Sequence, residues 1–273
     1  MNHVELRWLF ISLPSIPDFM NNELSTLHPT TRFSDRVENY VKYRPSYPKE
    51  IIPFLEKYYG LKRDSRIADI GSGTGIFSEL FLRSGFPVIG IEPNENMRKA
   101  AEIKLAGFSG FTSRNHKAEQ TGLKTHSLDL ITVAQAFHWM EPAQTKKEFF
   151  RILKPEGHIV LAWNVRLGHS NFLQAYLAFR KKFAIDYRES KMIDEEAIDL
   201  FFHPMKVKYH CFQNIQQLDF EALKGQLLSA SYIPLPGHPL YNDMINELIV
   251  LFIEHNHNGL VKMEFETRLY INR

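Results

Sequence analysis

The sequence predicts an α/β protein built on a doubly wound, mostly parallel sheet. Apolar runs of strand length alternate with amphipathic runs of helix length, at 66–70, 75–84, 87–91, 95–106, 127–134 and 142–153. Such alternation indicates parallel strands joined by right-handed helical crossovers. A loop with three glycines, residues 71–75, separates the first strand from the helix that follows it. Ligands of these sheets bind at the carboxyl ends of the strands, which is where this loop lies.

Length and composition narrow the functional classes. The chain has 273 residues, of which 44% are hydrophobic and 23% charged, enough for one or two globular domains with a full core. Its net charge is only +2 and its basic residues are scattered, so we expect no nucleic-acid partner. The single cysteine, Cys211, cannot form an internal disulfide, and the sequence has no CxxC pair. We therefore expect no metal site and a cytoplasmic location.

The first 31 residues read as a poorly packed extension. Their apolar run, residues 8–16, lacks a basic leader and a small-residue cleavage site, so we expect no signal peptide. The run is also too short to cross a bilayer, and no other run approaches that length, so we expect no membrane partner. Met20 is an alternative start of the folded domain.

The segment 32–48 is rich in tyrosine and arginine and ends in Pro45 and Pro48, which keep its last residues out of a helix. Two interpretations stay open for it. It is either an amphipathic helix that covers the edge of the sheet or a flap that closes over a ligand. A short helix, residues 51–59, then leads into the first strand.

The glycine loop is suited to holding an anionic or electron-rich group. Glycine at 71, 73 and 75 allows positive φ angles and lets a ligand approach the main chain. The helix that begins there directs unpaired N–H groups and the positive end of its dipole at the loop. A dinucleotide fingerprint would require glycine or alanine at position 76, where this chain has Ile76.

The G-x-G-x-G spacing preceded by Asp69 resembles the first motif of the class I S-adenosylmethionine-dependent methyltransferases, whose loop wraps the methionine end of the cofactor. In that family the next strand ends in an acidic residue that binds the ribose hydroxyls, and Glu92 stands there in this chain. A carboxylate suits that position because it accepts both hydroxyl protons. The resemblance implies S-adenosyl-L-methionine as cofactor and a seven-stranded sheet whose final antiparallel strand is inserted beside the sixth.

The resemblance also implies a set of cofactor-binding residues. They come from the segment before the core, the glycine loop, the end of the second strand, and the loops after the third and fourth strands: Tyr43, Arg44, Asp69, Gly71, Ser72, Gly73, Thr74, Gly75, Glu92, Pro93, Met97, Ala118, Glu119, Ala134, Gln135 and Ala136. Tyr43, Arg44 and Tyr47 match a YxxxRPxYP-like segment that flanks the cofactor in such enzymes. An acid that begins a helix is the alternative interpretation of Glu119.

The end of the fourth strand bears on the methyl acceptor. Gln135, Ala136, Phe137 and His138 stand where amino-directed nucleic-acid methyltransferases carry an Asp/Asn-Pro-Pro-Tyr/Phe tetrad, which argues against methylation of a base nitrogen. The QAFHW form resembles a small-molecule branch that includes trans-aconitate methyltransferase-like proteins. That likeness implies that His138 and Trp139 face the acceptor as catalytic residues. The alternative is a loop histidine beside an ordinary packing tryptophan.

Beyond Asn164 the alternation loosens. We predict a strand at 158–164 after a KPEGH turn, then a helix at 171–184, a charged stretch to Asp199, a strand at 207–212, helices near 218–228 and 239–254, and a strand at 261–271. Taken together, residues 32–273 form the predicted methyltransferase domain, with its core at 50–165. The segments 32–48 and 166–240 supply helical lid and acceptor elements.

Methyl transfer from a sulfonium is an in-line displacement in which positioning supplies most of the rate, with no need of a metal or a covalent intermediate. A carboxylate acceptor is already ionised at neutral pH and requires only orientation, by Arg44, Arg166 or His138. A hydroxyl or an acidic carbon would use His138 as base. The sequence leaves this choice open, and it predicts no oligomeric state. A nucleotide-dependent oxidoreductase and a catalytically silent cofactor-binding protein are the alternative functions.

Overall fold

Seven strands form one mixed sheet in a computed structural model that describes residues 36–185 and 193–272. The strands are β1 Ile67–Ile70, β2 Val88–Ile91, β3 Phe111–Arg114, β4 Leu128–Ala134, β5 Leu153–Arg166, β6 Val207–Leu218 and β7 Val261–Asn272. Their order across the sheet is β3-β2-β1-β4-β5-β7-β6. Strands β1 to β5 are mutually parallel, and β7 runs antiparallel to both of its neighbours. The predicted fold class is confirmed.

Nine α-helices accompany the sheet within the described ranges. They are α1 Val37–Tyr43, α2 Ile51–Tyr59, α3 Ile76–Arg83, α4 Glu95–Lys104, α5 Pro142–Ile152, α6 Asn171–Lys182, α7 Glu195–Phe202, α8 Phe220–Leu228 and α9 Tyr241–His255. Polar side chains cap the first turns of several helices and explain where these helices begin. Asn94 accepts from the Met97 N–H at 3.0 Å at the start of α4, and Asp219 accepts from the Ala222 N–H at 2.8 Å at the start of α8. None of the helices in these ranges is long and apolar enough to cross a membrane.

Three elements differ from the sequence prediction. Helix α7 lies where we predicted only a charged stretch, because Asp194 caps it at 3.2 Å and its Ile198, Phe201 and Phe202 are buried. The KPEGH segment falls inside β5, and the pairing with β4 shifts its register there, from Leu128 with Leu153 to Leu130 with His158. Strand β6 continues to Leu218 because β7 pairs with it along its whole length.

Helices cover both faces of the sheet, as a doubly wound fold requires. Buried side chains of α5 and α7 pack with β4 and β5 in one cluster, and those of α2 and α3 pack with β1 and β2 in another. Strand β1 is buried along its full length, as expected for a central parallel strand. A third cluster joins α6, α8 and α9 to the start of β7. This helical layer stands beside the carboxyl end of β5.

The segment before α2 is anchored to the loop that follows α8. The buried Arg36 donates to the carbonyl oxygens of Leu228 at 2.8 Å, Ala230 at 2.7 Å and Ile233 at 2.7 Å. Arg44 donates to the Ser229 carbonyl at 3.1 Å. These bonds hold α1 against the end of α8, on the helical layer rather than on the open edge of the sheet. The predicted extension, residues 1–31, lies outside the described residues.

Candidate functional site

The glycine loop begins where β1 ends and lies at the carboxyl edge of the sheet. Gly71, Gly73 and Gly75 have φ angles of 68°, 55° and 76°, a region that side chains rarely adopt. The N–H groups of Gly71 and Ser72 both donate to the Ile91 carbonyl, at 2.8 and 3.1 Å. These two hydrogen bonds attach the loop to the end of β2, and the loop leads directly into α3.

The three glycines are required for different reasons. A Cβ on Gly71 would lie 2.6 Å from the Ala136 Cβ, and one on Gly75 would lie 2.5 Å from Leu105 Cδ1. A Cβ on Gly73 would meet no atom within 4 Å. Packing thus excludes side chains at the outer two positions, whereas Gly73 faces open space.

Glu92 lies at the end of β2 and faces the same loop. Its Oε2 accepts from the Gly73 N–H at 2.9 Å, and its Oε1 accepts from the Asn94 N–H at 2.8 Å. Burial raises the pKa of Glu92, and the two backbone N–H groups partly oppose that shift. Each carboxylate oxygen still has a lone pair for a ligand hydroxyl.

Asp69 is buried beneath the loop, near the end of β1. Its Oδ2 accepts from the Ser78 hydroxyl at 2.6 Å, and its Oδ1 accepts from the Thr132 hydroxyl at 2.9 Å. Burial raises the pKa of Asp69 to about 6 even though both hydroxyl groups lower it. The carboxylate therefore joins β1 to α3 and β4 and titrates close to neutral pH.

A cleft opens between the glycine loop and the segment that follows α1. Its lining consists of Arg44, Pro45, Tyr47, Asp69, Gly71, Ser72, Gly73, Thr74, Ile76, Phe77, Ala134, Gln135 and Asn164. Eight of the residues predicted to bind the cofactor are among them.

Two polar groups of this lining indicate a ligand. Thr74 is 1% exposed and its hydroxyl has no hydrogen-bond partner, which is costly for a buried polar atom. Gln135 has a φ of 58°, and its Nε2 donates to the Asn164 carbonyl at 3.2 Å. Backbone strain of this kind clusters at ligand sites.

Asn164 is a polar residue of the cleft that the sequence analysis did not predict. Its Nδ2 donates to the Ser46 carbonyl at 3.2 Å, and Nδ2 of Asn214 donates to the same carbonyl at 2.7 Å. The Asn164 Oδ1 in turn accepts from Asn214 and Thr267. An asparagine that ends the apolar run HIVLAWN was a visible signal, whereas Asn214 had none. Together they hold residues 44–47 over the cleft.

Other predicted residues surround the cleft without lining it. Tyr43 lies against α8, where a Cβ on Gly225 would lie 2.0 Å from its ring. Glu119 accepts from the Glu141 N–H at 3.0 Å, and Met97 is buried at the start of α4. The other predicted cofactor-binding residues that do not line the cleft are Gly75, Glu92, Pro93, Ala118 and Ala136. Cofactor contact by these residues stays a prediction.

His138 and Trp139 form a 3₁₀ turn, Phe137–Trp139, directly after β4. Their ring centroids are 4.8 Å apart, and neither residue is in the lining of the cleft. The Nδ1 atom of His138 is buried without a hydrogen-bond partner. Burial lowers the pKa of His138 to about 4, so the imidazole is neutral at physiological pH.

The comparisons with known proteins concern the part of the chain that carries this site. Residues 68–161 match the family model described as a methyltransferase domain. The chain is 33% identical over 134 residues to an uncharacterised methyltransferase of Mycobacterium tuberculosis, covering 49% of this chain and 52% of that protein. A Dictyostelium discoideum protein named as a methyltransferase is 29% identical over 187 residues, 64% of this chain and 69% of the other. The chain spans about half the length of the first of these relatives.

Solved structures agree on the fold. A protein from Anaeromyxobacter dehalogenans, named as a Type II methyltransferase, superposes with a TM-score of 0.65 at 19% identity, covering 84% of this chain and 97% of that one. A protein from Anabaena variabilis, named as a methyltransferase from an antibiotic biosynthesis pathway, gives 0.55 at 19% identity, covering 84% and 98%. Residues 68–161 are therefore similar to a methyltransferase domain, and the fold of the chain is that of these two solved structures.

Proposed function

We propose that this protein transfers a methyl group from S-adenosylmethionine to a small-molecule acceptor, with a carboxylic acid as the first candidate. The observation that carries the proposal is the open face of Gly73, which lines the cleft together with Asp69 and donates its N–H to Glu92. When bound, S-adenosylmethionine supplies an electrophilic methyl group on a cationic sulfur. A cytoplasmic location and the lack of a nucleic-acid partner belong to the same proposal.

The residues at the loop fit this cofactor. Glu92 has lone pairs left for two ribose hydroxyls, and the unpartnered hydroxyl of Thr74 is available to the polar methionine end. Asp69 places negative charge beneath the loop, which favours a cationic ligand. Pro45 and Tyr47 line the cleft together with the loop residues.

The low pKa of His138 favours an acceptor that is already ionised. A group with a pKa near 4 is a weak proton acceptor at neutral pH, so it is poorly matched to removing a proton from a hydroxyl. A carboxylate with an ordinary pKa of about 4 requires no base, and orientation alone brings it to the reaction. Neutral His138 then serves to position the acceptor.

The test is calorimetric titration of the full chain with S-adenosylmethionine, with its demethylated product S-adenosylhomocysteine, and with NAD. We expect micromolar binding of the two sulfur nucleosides alone, followed by turnover in a screen that begins with small carboxylic acids. Binding of NAD alone would instead support the oxidoreductase alternative. Cofactor binding without turnover on any acceptor would support a catalytically silent protein.

The affinity for S-adenosylmethionine should rise as the pH increases from 5 to 7. Asp69 has a pKa of about 6 in the free protein, and its ionised form, present above that pH, attracts the cation. If binding lowers this pKa by one unit, the affinity increases by up to about tenfold across the range. Calorimetry at pH 5, 6 and 7 measures the slope. Asp69→Asn should weaken binding and flatten the profile, whereas an unchanged slope in that variant would exclude Asp69 as its source.

Replacing His138 by alanine should lower turnover much more than cofactor affinity. A residue that positions the acceptor changes kcat and the KM for the acceptor, and we expect a loss of roughly tenfold or more in kcat/KM. Steady-state kinetics and calorimetry separate the two effects. Because His138 is already neutral, kcat/KM of the wild-type enzyme should show no inflection from it between pH 6 and 8. Equal losses of affinity and turnover would make His138 a structural residue.

A further inference from the structure

A group of cationic and phenolic side chains lies where the end of β5 meets α6 and the loop after α8. Its members are Arg44, Arg166, Tyr176, Arg180 and Tyr232, which we call the arginine cluster. The Arg180 guanidinium lies 5.7 Å from the ring centroid of Tyr176 and 5.3 Å from that of Tyr232, and it donates to the Tyr232 hydroxyl. The Arg166 guanidinium lies 5.2 Å from the Phe265 ring.

Two cations of the cluster, Arg166 and Arg180, have no acidic partner in the part of the chain that the structure describes. Arg180 is 8% exposed and Tyr176 is fully buried, and the Arg166 Nε, the Arg180 Nε and the Tyr176 hydroxyl have no hydrogen-bond partner. Buried charge is unfavourable unless it is paired, so this arrangement is suited to binding an anion.

The electrostatics of the cluster agree with that geometry. Burial, and after it the positive charges of Arg180 and Arg44, lower the pKa of Arg166 to about 9. Burial raises the pKa of Tyr176, so this phenol stays protonated and can donate. Arg166, Arg180 and Tyr176 therefore lie near one another, and each has a hydrogen-bond donor without a partner.

The cluster adjoins the cleft. Asn164 and Arg166 are two residues apart on β5, so their side chains point to the same face of the sheet, and Asn164 lines the cleft. Arg44 also lines the cleft, and its charge acts on Arg166. A molecule that extends from the cleft beyond Asn164 would therefore reach Arg166 first.

We propose that Arg166, Arg180 and Tyr176 form the subsite that binds a carboxylate of the methyl acceptor which is not itself methylated. This rests on the proposed function, because it names the acceptor's second anionic group. Guanidinium groups match the geometry of a carboxylate and bind it through paired hydrogen bonds. Cations placed at the reacting oxygen would stabilise the charge that methylation removes, and so would slow the reaction. At a carboxylate that does not react, the charge persists from substrate to product and this penalty is absent.

The experiment measures binding of glutarate, as a simple dicarboxylate, to the full chain by calorimetry and by thermal unfolding at constant ionic strength. Titrations are made with and without saturating S-adenosylhomocysteine. Dimethyl glutarate is the uncharged control and inorganic phosphate tests another oxyanion. We expect glutarate to bind and to raise Tm by about 5 °C at a concentration 100 times its Kd. Dimethyl glutarate should have no effect.

Arg166→Gln and Arg180→Gln should each raise the Kd for glutarate at least tenfold. Arg268→Gln is the matched control, because it removes the same charge from β7, three residues from Phe265 and hence on the opposite face of that strand. It should bind glutarate as the wild type does. In the absence of ligand, Arg166→Gln should keep or raise Tm, since it relieves repulsion between the like charges of Arg166, Arg180 and Arg44. A large loss of Tm in that variant would indicate a structural role and overturn the proposal.

The remaining outcomes separate the two proposals. Binding of S-adenosylhomocysteine without any binding of glutarate would overturn the carboxylate subsite and leave the methyltransferase function standing. Binding of glutarate that depends on Arg166, without binding of S-adenosylhomocysteine, would support the subsite and remove the proposed function. Tighter binding of phosphate than of glutarate would overturn the assignment to a carboxylate.

Discussion

Gly73→Val abolishes the binding of S-adenosylmethionine, with an expected rise in Kd of at least about 100-fold, equivalent to about 2.7 kcal/mol. The φ angle at Gly73 is 55°, which a β-branched residue adopts only with strain. A Cβ there meets no protein atom within 4 Å, so the valine side chain would occupy the open cleft itself. Calorimetric titration of the variant measures the loss directly.

Gly259→Val is the matched control for that variant. Gly259 also has a positive φ, 77°, and a Cβ there would also meet nothing within 4 Å, but it lies in the turn before β7. Both substitutions should lower the free energy of unfolding by about 1–3 kcal/mol through backbone strain. Only Gly73→Val should lose cofactor affinity. A Gly73→Val variant that binds with the wild-type Kd would show that the glycine loop does not hold the cofactor.

The parallel part of the fold could be predicted because its signals are local. The glycine loop joins a strand and a helix that are adjacent in the chain, and its positive φ angles follow from glycine alone. Asn94 begins α4 with a cap three residues from its donor, Met97. Short-range patterns of this kind set the limits of β1, β2 and β4 to within one residue of those predicted.

The closure of the cleft could not be predicted because it depends on residues far apart in the sequence. Asn214 reaches the Ser46 carbonyl across 168 positions, and Arg36 reaches the Ile233 carbonyl across 197. Nothing in the pattern around these residues indicates such partners. The arginine cluster could not be predicted for the same reason, since β5, α6 and the loop after α8 meet only in the folded chain.

The glycine-rich segment and the acidic residue after β2 show where motif reasoning succeeds and where it stops. The motif predicted that Gly71, Gly73, Gly75 and Glu92 lie together, and the structure brings them together. It could not predict that side chains at Gly71 and Gly75 would clash with Ala136 and Leu105. Nor could it predict that a side chain at Gly73 would meet only open space. That distinction decides which substitution tests the ligand rather than the fold.

Gly225→Ala should destabilise the protein and weaken cofactor binding. Alanine has a higher helix propensity than glycine by about 1 kcal/mol, so α8 alone would gain stability. In the folded chain a Cβ on Gly225 would lie 2.0 Å from the Tyr43 ring, and such overpacking typically costs about 1–3 kcal/mol. Displacement of Tyr43 also moves Arg44 and Tyr47, which line the cleft. Denaturant unfolding and calorimetry measure the two losses, and Gly107→Ala, where a Cβ meets nothing within 4 Å, is the control.

A double-mutant cycle with Tyr43→Ala shows what Tyr43 does. If the Tyr43 ring anchors α1 on α8, removing it makes room for the new Cβ, and the double variant should be more stable than the sum of the single effects by about 1–2 kcal/mol. Additive effects would mean that the two residues do not meet. Tyr43→Ala alone also separates an anchor from a cofactor ligand. An anchor loses stability and affinity together, whereas a residue that contacts the cofactor, as the sequence predicted for Tyr43, loses affinity while the free energy of unfolding stays the same.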